Sequence, residues 1–251
     1  MDIKLFEGER IDEVNDKLRL IQNEKGLTFG TDALLLAAYI KRGYKNALEL
    51  GGGTGIISML LLTREKIQRC VAAEIQESYA LLIERNAELN GLGERLKAIN
   101  TDIREMKLSE EYDLVFTNPP YMISGGGRRN LTDEKALARH EENGTVFDFL
   151  KVSARGLKFG GAFYAVYRPD RTADLFAAMR EAKIEPKRMT LVYANALSEP
   201  SMLLVEGKKG GRCGMKMTAP LIVYSSEDNK SYGADMSYIM ENGAFPDRFF
   251  S

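Results

Sequence analysis

A short apolar strand, Asn46–Leu50, runs without a break into Gly51-Gly52-Gly53-Thr54-Gly55 and then into an apolar helix, Ile56–Thr63. Such a junction commits a chain to an α/β fold on parallel strands. Glycines let the backbone turn tightly and approach a ligand without a Cβ in the way, and the helix packs back on its own strand. The alternation continues. Strands are expected at Val71–Ile75, Leu96–Thr101, Asp113–Thr117, Ala162–Tyr167, Met189–Tyr193 and Ser201–Gly207, seven in all with the first. Helices are expected at Glu77–Asn90, Thr145–Leu157 and Arg171–Ala182. The Asn195–Pro200 connection is too short for a crossover, so the last two strands pair antiparallel. The reading is a three-layer α/β sandwich with a mostly parallel seven-stranded sheet and an antiparallel C-terminal strand.

Upstream, Leu18–Gln22 and Leu27-Thr28-Phe29 flank Asn23–Gly26 and read as a short hairpin. Thr31 or Asp32 then caps a helix running to about Lys41. The expected organisation is a hairpin extension over residues 1–30, the main domain over 31–209, and a Gly-, Met- and Tyr-rich tail over 210–251 packed on it. Charge narrows the function classes. Thirty-five Lys+Arg against 36 Asp+Glu excludes a strongly basic nucleic-acid coat or a polybasic membrane binder, though not local basic patches. One histidine and two cysteines exclude a four-ligand zinc site or a multi-histidine metal centre, so no metal is expected. The acidic first 15 residues are unlike a basic leader, and no apolar run approaches the ~20 residues of a membrane span. A cytoplasmic protein, off the membrane, is expected as monomer or homodimer.

In open α/β sheets ligands sit at the carboxyl ends of the strands. Glu74 closes the second strand, where a carboxylate can accept both hydroxyls of a ribose. Asp102 closes the third and can accept from an adenine amino group. The dinucleotide pattern G-x-G-x-x-G would need its last glycine at Ile56. The spacing Gly51-x-Gly53-x-Gly55, with Glu49 two residues before it, fits an S-adenosylmethionine loop better. The bland alternative is a strand-to-helix turn that binds nothing.

The fourth strand ends in Asn118-Pro119-Pro120-Tyr121. Read plainly, prolines terminate a strand. Read as chemistry, two prolines remove two N–H donors and leave the backbone presenting carbonyl oxygens only. Asn118 adds a side-chain oxygen beside them. A planar NH2 group can donate one hydrogen to Asn118 Oδ1 and one to the Pro119 carbonyl, while Tyr121 stacks on the π system that carries it.

Together, Gly51–Gly55, Glu74, Asp102 and Asn118-Pro119-Pro120-Tyr121 resemble the class I S-adenosylmethionine-dependent methyltransferases that modify planar amino or amide nitrogens, a Rossmann-like fold. The resemblance spans about residues 28–208. Phe29-Gly30-Thr31-Asp32-Ala33-Leu34-Leu35-Leu36, Ala138-Arg139-His140-Glu141 and Pro220-Leu221-Ile222-Val223-Tyr224 narrow it to the bacterial tRNA(Val) (adenine-N(6))-methyltransferase family. It implies methyl transfer from S-adenosyl-L-methionine to the exocyclic nitrogen of the tRNA adenine 3′ of the anticodon. It implies catalytic roles for Asn118, Pro119 and Tyr121. Cofactor contacts are implied at Phe29, Thr31, Asp32, Glu49, Gly51, Gly53 and Gly55, and further at Glu74, Ile75, Asp102, Ile103 and Asn118. Substrate contacts are implied at Pro120, Arg128, Arg129, Arg139 and His140.

The glycine-basic segment Gly125–Asn130 is either a solvated connector or a phosphate-gripping loop. Lys208, Lys209, Arg212 and Lys216 are either a second basic patch or a soluble face. Cys70 and Cys213 have no histidine nearby in sequence and read as structural. Three functions stay open: an RNA adenine methyltransferase, an N-methyltransferase of a release-factor glutamine or of an rRNA base, and an inert RNA-binding scaffold of the same fold. The glutamine enzymes carry a separate helical domain, for which there is no room before residue 30, and an inert scaffold need not fill every cofactor and acceptor position with a competent residue.

Overall fold

Period-two alternation lays out two cores, one on each face of a central sheet. The computed structural model of the chain describes residues 4–23, 30–119, 144–226 and 229–250. In β6 (Tyr112–Thr117) Leu114 and Phe116 enter one core and Val115 the other. In β7 (Leu157–Tyr167) Tyr164 and Val166 join the first, Phe163 and Ala165 the second. Helices α1 (Thr31–Tyr39), α2 (Ile56–Thr63) and α3 (Glu77–Leu89) cover the first core. Helices α4 (Val146–Gly156) and α5 (Thr172–Glu181) cover the second. The result is the three-layer sandwich expected. Helix α2 is buried from Ile56 through Leu62, as a helix apolar on all sides must be.

The sheet runs β5 (Leu96–Asn100), β4 (Ile67–Glu74), β3 (Tyr44–Leu50), β6, β7, β9 (Pro200–Lys209), β8 (Ile184–Tyr193). The β5–β4–β3–β6–β7 pairings are parallel; β9 is antiparallel to both β7 and β8. From β3 the chain steps outward to β4 and β5, then returns to lay β6 on the other side of β3. This reversal opens a crevice at the carboxyl ends of β3 and β6, where open α/β sheets bind ligands.

Three expectations need correction. The sheet has nine strands rather than seven, because β10 (Lys216–Met217) and β11 (Leu221–Ile222) both pair parallel with β8. Two-residue strands carry no periodicity to read. A hairpin is formed by β1 (Glu9–Asn15) and β2 (Leu18–Asn23), and the arm expected at Leu27-Thr28-Phe29 lies outside the described residues. Strand β1, Glu-Arg-Ile-Asp-Glu-Val-Asn, is mostly charged and half exposed, so it lacks an apolar signature; residues 24–29 lie outside the described set. Strand β7 starts at Leu157 rather than at the expected Ala162, so Gly160-Gly161 lies within it. A Cβ at Gly161 would sit 2.9 Å from the Lys158 carbonyl oxygen, at the register shift opposite Tyr112–Leu114. Helix α1 takes Gly30 as its N-cap, not Thr31 or Asp32, with no side-chain cap bond.

Candidate active site

The crevice is built by tying strand tips together. Thr117 Oγ1 donates to the Leu50 carbonyl at 2.8 Å, joining the ends of β6 and β3. The Gly51 and Gly52 N–H groups donate to Ala73 O at 2.9 and 3.1 Å, joining the loop to β4. Gly52 is needed for space: a Cβ there would lie 2.8 Å from Ile83 Cδ1 of α3. Gly53, with φ +53°, faces the other way, and a Cβ there would meet nothing within 4 Å. Open space above a loop whose backbone is otherwise tied down is the cradle a ligand needs.

Glu74 braces that cradle. Its carboxylate accepts from the Gly53 N–H at 2.9 Å and the Gln76 N–H at 2.9 Å. Asn100, at the tip of β5, donates through Nδ2 to the carbonyls of Glu74 and Ile75 at 3.0 and 2.9 Å. Ile75 is 40% exposed beside them. Asp102 accepts from the backbone N–H of Arg104 at 2.9 Å and from its guanidinium, and that guanidinium holds the Asp102 carboxyl below its ordinary range. Ile103 is buried behind it.

Asn118 lies at the tip of β6, next to the buried Pro119. Its Nδ2 donates to Asp32 Oδ2 at 2.8 Å across the crevice. Its Oδ1 is buried and has no hydrogen-bond partner among the described residues. A buried acceptor without a partner costs on the order of 1–3 kcal/mol, which a native chain spends only where something else will donate.

Leu48 and Leu50 face the second core, so the Glu49 side chain points to the opposite face of β3. It is 1% exposed, accepts from Ser58 Oγ, and burial pushes it up to about 8. Cys70, bonded with Ser58, shares that pocket, and burial raises its thiol too. Thr31 is exposed at the start of α1. Phe29, Pro120, Tyr121, Arg128, Arg129, Arg139 and His140 lie outside the described residues. Lys208, Lys209 and Lys216 sit at the other end of the sheet. Lys209, for instance, pairs with Ile184 at the start of β8 and donates to Glu110 Oε1 and the Ala154 carbonyl. Sequence reasoning missed Asn100, Thr117, Gln76 and Arg104. Only Arg104 had a signal, a cation two residues after an acid at a strand end. No group of three metal-ligating side chains and no helix long and apolar enough to cross a membrane occurs among the described residues.

Residues 23–182 match the family model described as the methyltransferase small domain. Curated relatives include a tRNA1(Val) (adenine(37)-N6)-methyltransferase of Tolumonas auensis, 30% identical over 66% of this chain and 73% of the relative. Another of the same description, from Flavobacteriaceae bacterium strain 3519-10, is 26% identical over 76% of this chain and 80% of the relative. Among solved structures, a predicted O-methyltransferase from Agrobacterium tumefaciens superposes with a TM-score of 0.68 at 22% identity, over 86% of this chain and 98% of that one. A geranyl diphosphate C-methyltransferase from Streptomyces coelicolor superposes at 0.55 with 10% identity, over 71% of this chain and 78% of that one. These two structures share the fold.

Proposed function

We propose, for a chain that belongs to the methyltransferase small-domain family, that this enzyme transfers a methyl group from S-adenosyl-L-methionine to the exocyclic amino nitrogen of a tRNA adenine, the one 3′ of the anticodon in tRNA(Val). The observation that carries the reading is the buried Oδ1 of Asn118 at the switch point of the sheet, without a partner among the described residues. The adenine-N6 activity printed for the relatives supports the choice of acceptor.

The residues fit the cofactor. The open space over Gly53 admits a ligand backbone, and the lone pairs that Glu74 keeps free accept ribose hydroxyls. Thr31, Ile75, Asp102, Ile103 and, from the sequence motif, Phe29 would hold the rest of the cofactor, with the Asp102 carboxylate able to accept from its adenine amino group. When bound, the cofactor supplies an electrophilic methyl group. The chain's own part is electrostatic. Asn118 Oδ1 and the Pro119 carbonyl accept the two hydrogens of the target NH2. This draws the nitrogen lone pair out of conjugation and stabilises the positive charge that develops on it, acceptors already in place before the reaction starts. No strong base is required, since a methylated anilinium-like nitrogen loses its proton readily. Pro120 and Tyr121 receive the flipped base. Arg128, Arg129, Arg139 and His140 grip the RNA around it. An unpaired loop base flips out at low cost.

The test is mass spectrometry of nucleosides from unmodified tRNA incubated with the protein and methyl-labelled cofactor. Labelled N6-methyladenosine is the expected product. A label found only in protein glutamine, or in no macromolecule, overturns the reading.

A further inference from the structure

We propose that Asp32 is a positioning residue that sets which way the Asn118 amide faces, and that Gly30 makes the room it needs. The proposal rests on the amino-nitrogen reading above. A primary amide is flat, and its oxygen and its NH2 group have nearly the same shape, so packing alone does not choose between its two orientations. A carboxylate oxygen only accepts. With Asp32 Oδ2 2.8 Å from Asn118 Nδ2, the NH2 end must face Asp32. The other end, Oδ1, is then left as the buried acceptor. In the reversed orientation oxygen would meet oxygen, and two hydrogens would point where an incoming NH2 brings its own. Asp32 thereby makes an ambivalent amide a one-way acceptor without touching the reacting nitrogen.

Gly30 supplies the second, independent observation. Its φ of −106° is ordinary extended backbone, which any residue adopts, so conformation does not call for glycine. Space does. A Cβ on residue 30 would lie 2.5 Å from Asp32 Oδ1. A side chain there displaces the carboxylate from its line to Asn118. Nor does α1 hold Asp32 in place for capping, since Gly30 is the N-cap and no side-chain cap bond forms. The sequence alone placed Asp32 among the cofactor contacts; its geometry makes it act through Asn118.

Three variants test this: Asp32→Ala, Asp32→Asn and Gly30→Ala. The first readout needs no substrate. It is the side-chain NH2 resonance of Asn118 in 15N-labelled, cofactor-free protein, assigned by its loss in Asn118→Ala. The others are kcat and KM on tRNA and the affinity for S-adenosylhomocysteine by calorimetry. In Asp32→Ala and Gly30→Ala the resonance shifts and broadens, and kcat falls roughly 10- to 100-fold, part of the loss expected for a missing preorganised group. KM and S-adenosylhomocysteine affinity stay within about twofold in both. In Asp32→Asn the introduced amide oxygen can still accept from Asn118 Nδ2, so that variant recovers most of kcat. Should Asp32→Ala not fold, Gly30→Ala carries the same expectation. An unmoved resonance overturns the proposal. So does a loss of S-adenosylhomocysteine affinity that matches the loss of kcat, because Asp32 is then a cofactor ligand. Wild-type protein that methylates no tRNA overturns the amino-nitrogen reading instead, and the resonance and calorimetry still decide the role of Asp32.

Discussion

Replacing Asn118 by alanine deletes a buried acceptor that has no partner among the described residues. The side chain sits at a strand tip, so fold and cofactor affinity are expected to survive while kcat falls on the order of 10²–10³-fold. Steady-state kinetics on tRNA beside calorimetry with S-adenosylhomocysteine checks the split. Asn118→Asp keeps an acceptor oxygen at this position while setting a second carboxylate within hydrogen-bond reach of Asp32. It still accepts, and partial activity is expected. Glu49 gives a different residue-scale prediction. Burial raises it from 4.5 to about 8, so between those values the folded chain holds a proton that the unfolded chain releases. That contribution to stability is fully present below about pH 4.5 and is lost as pH rises through about 8. Glu49→Gln cannot titrate and is expected to flatten the decline. Melting temperatures at pH 5 and pH 9 measure this, and equal declines for variant and wild type would contradict it.

Elements meet here through a few close approaches. Gly52 lets the loop after β3 pass against α3, with a Cβ 2.8 Å from Ile83 Cδ1 and 3.2 Å from Ala72 Cβ. Gly52→Ala is expected to cost about 1–3 kcal/mol as overpacking. Ile83→Val removes the opposing methyl and is expected to return part of that loss, a coupling that denaturant melts of the two single variants and the double variant measure. How legible such elements were depends on how local their signal is. The β3 strand, glycine loop, α2 and β6 each announce themselves within ten residues by periodicity or by glycine and proline chemistry, and they form close to where expected. Strand β1 hides behind charge, and β10 and β11 hide because pairing with β8, not their own pattern, makes them strands. The face of β3 that carries Glu49 was legible from the alternation of its neighbours Leu48 and Leu50, but its bond with Ser58 of α2 was not. The Asn118 motif was legible as chemistry. Its contact with Asp32, 86 residues away, was not, because no local rule pairs a helix start with a distant strand tip.

At the scale of the molecule, residues beyond Lys209 are part of the core rather than an appendage. Leu221, Val223, Met236, Ile239, Phe245 and Phe249 all belong to the core that α1 and α2 line. Arg188 of β8 fastens them. Its guanidinium lies 3.7 Å from the Tyr39 ring centroid and 4.4 Å from that of Phe250, pairs with Glu206 at 2.8 Å, and donates to the Phe249 and Tyr39 carbonyls. Truncating the chain after Lys209 removes six large apolar side chains and bares the surfaces they cover. At roughly 1.5–3 kcal/mol for each buried side chain, the loss matches or exceeds the 5–15 kcal/mol that holds a typical domain together. The truncated chain, residues 1–209, is therefore expected not to fold, although it keeps every residue of the crevice. Circular dichroism melts and gel filtration of the truncated and full chains check this. A cooperative melt of residues 1–209 near the full chain's temperature would refute it. Arg188→Met is the milder form of the same experiment. It leaves the largely buried Glu206 carboxylate, among the described residues, with the half-exposed Lys41 at 3.1 Å as its only cation, and is expected to cost about 3 kcal/mol or more. Arg188→Met with Glu206→Gln is expected to recover part of that, because the stranded charge goes with its partner. Full recovery would mean that the stacking on Tyr39 and Phe250 contributes nothing to the docking of the tail.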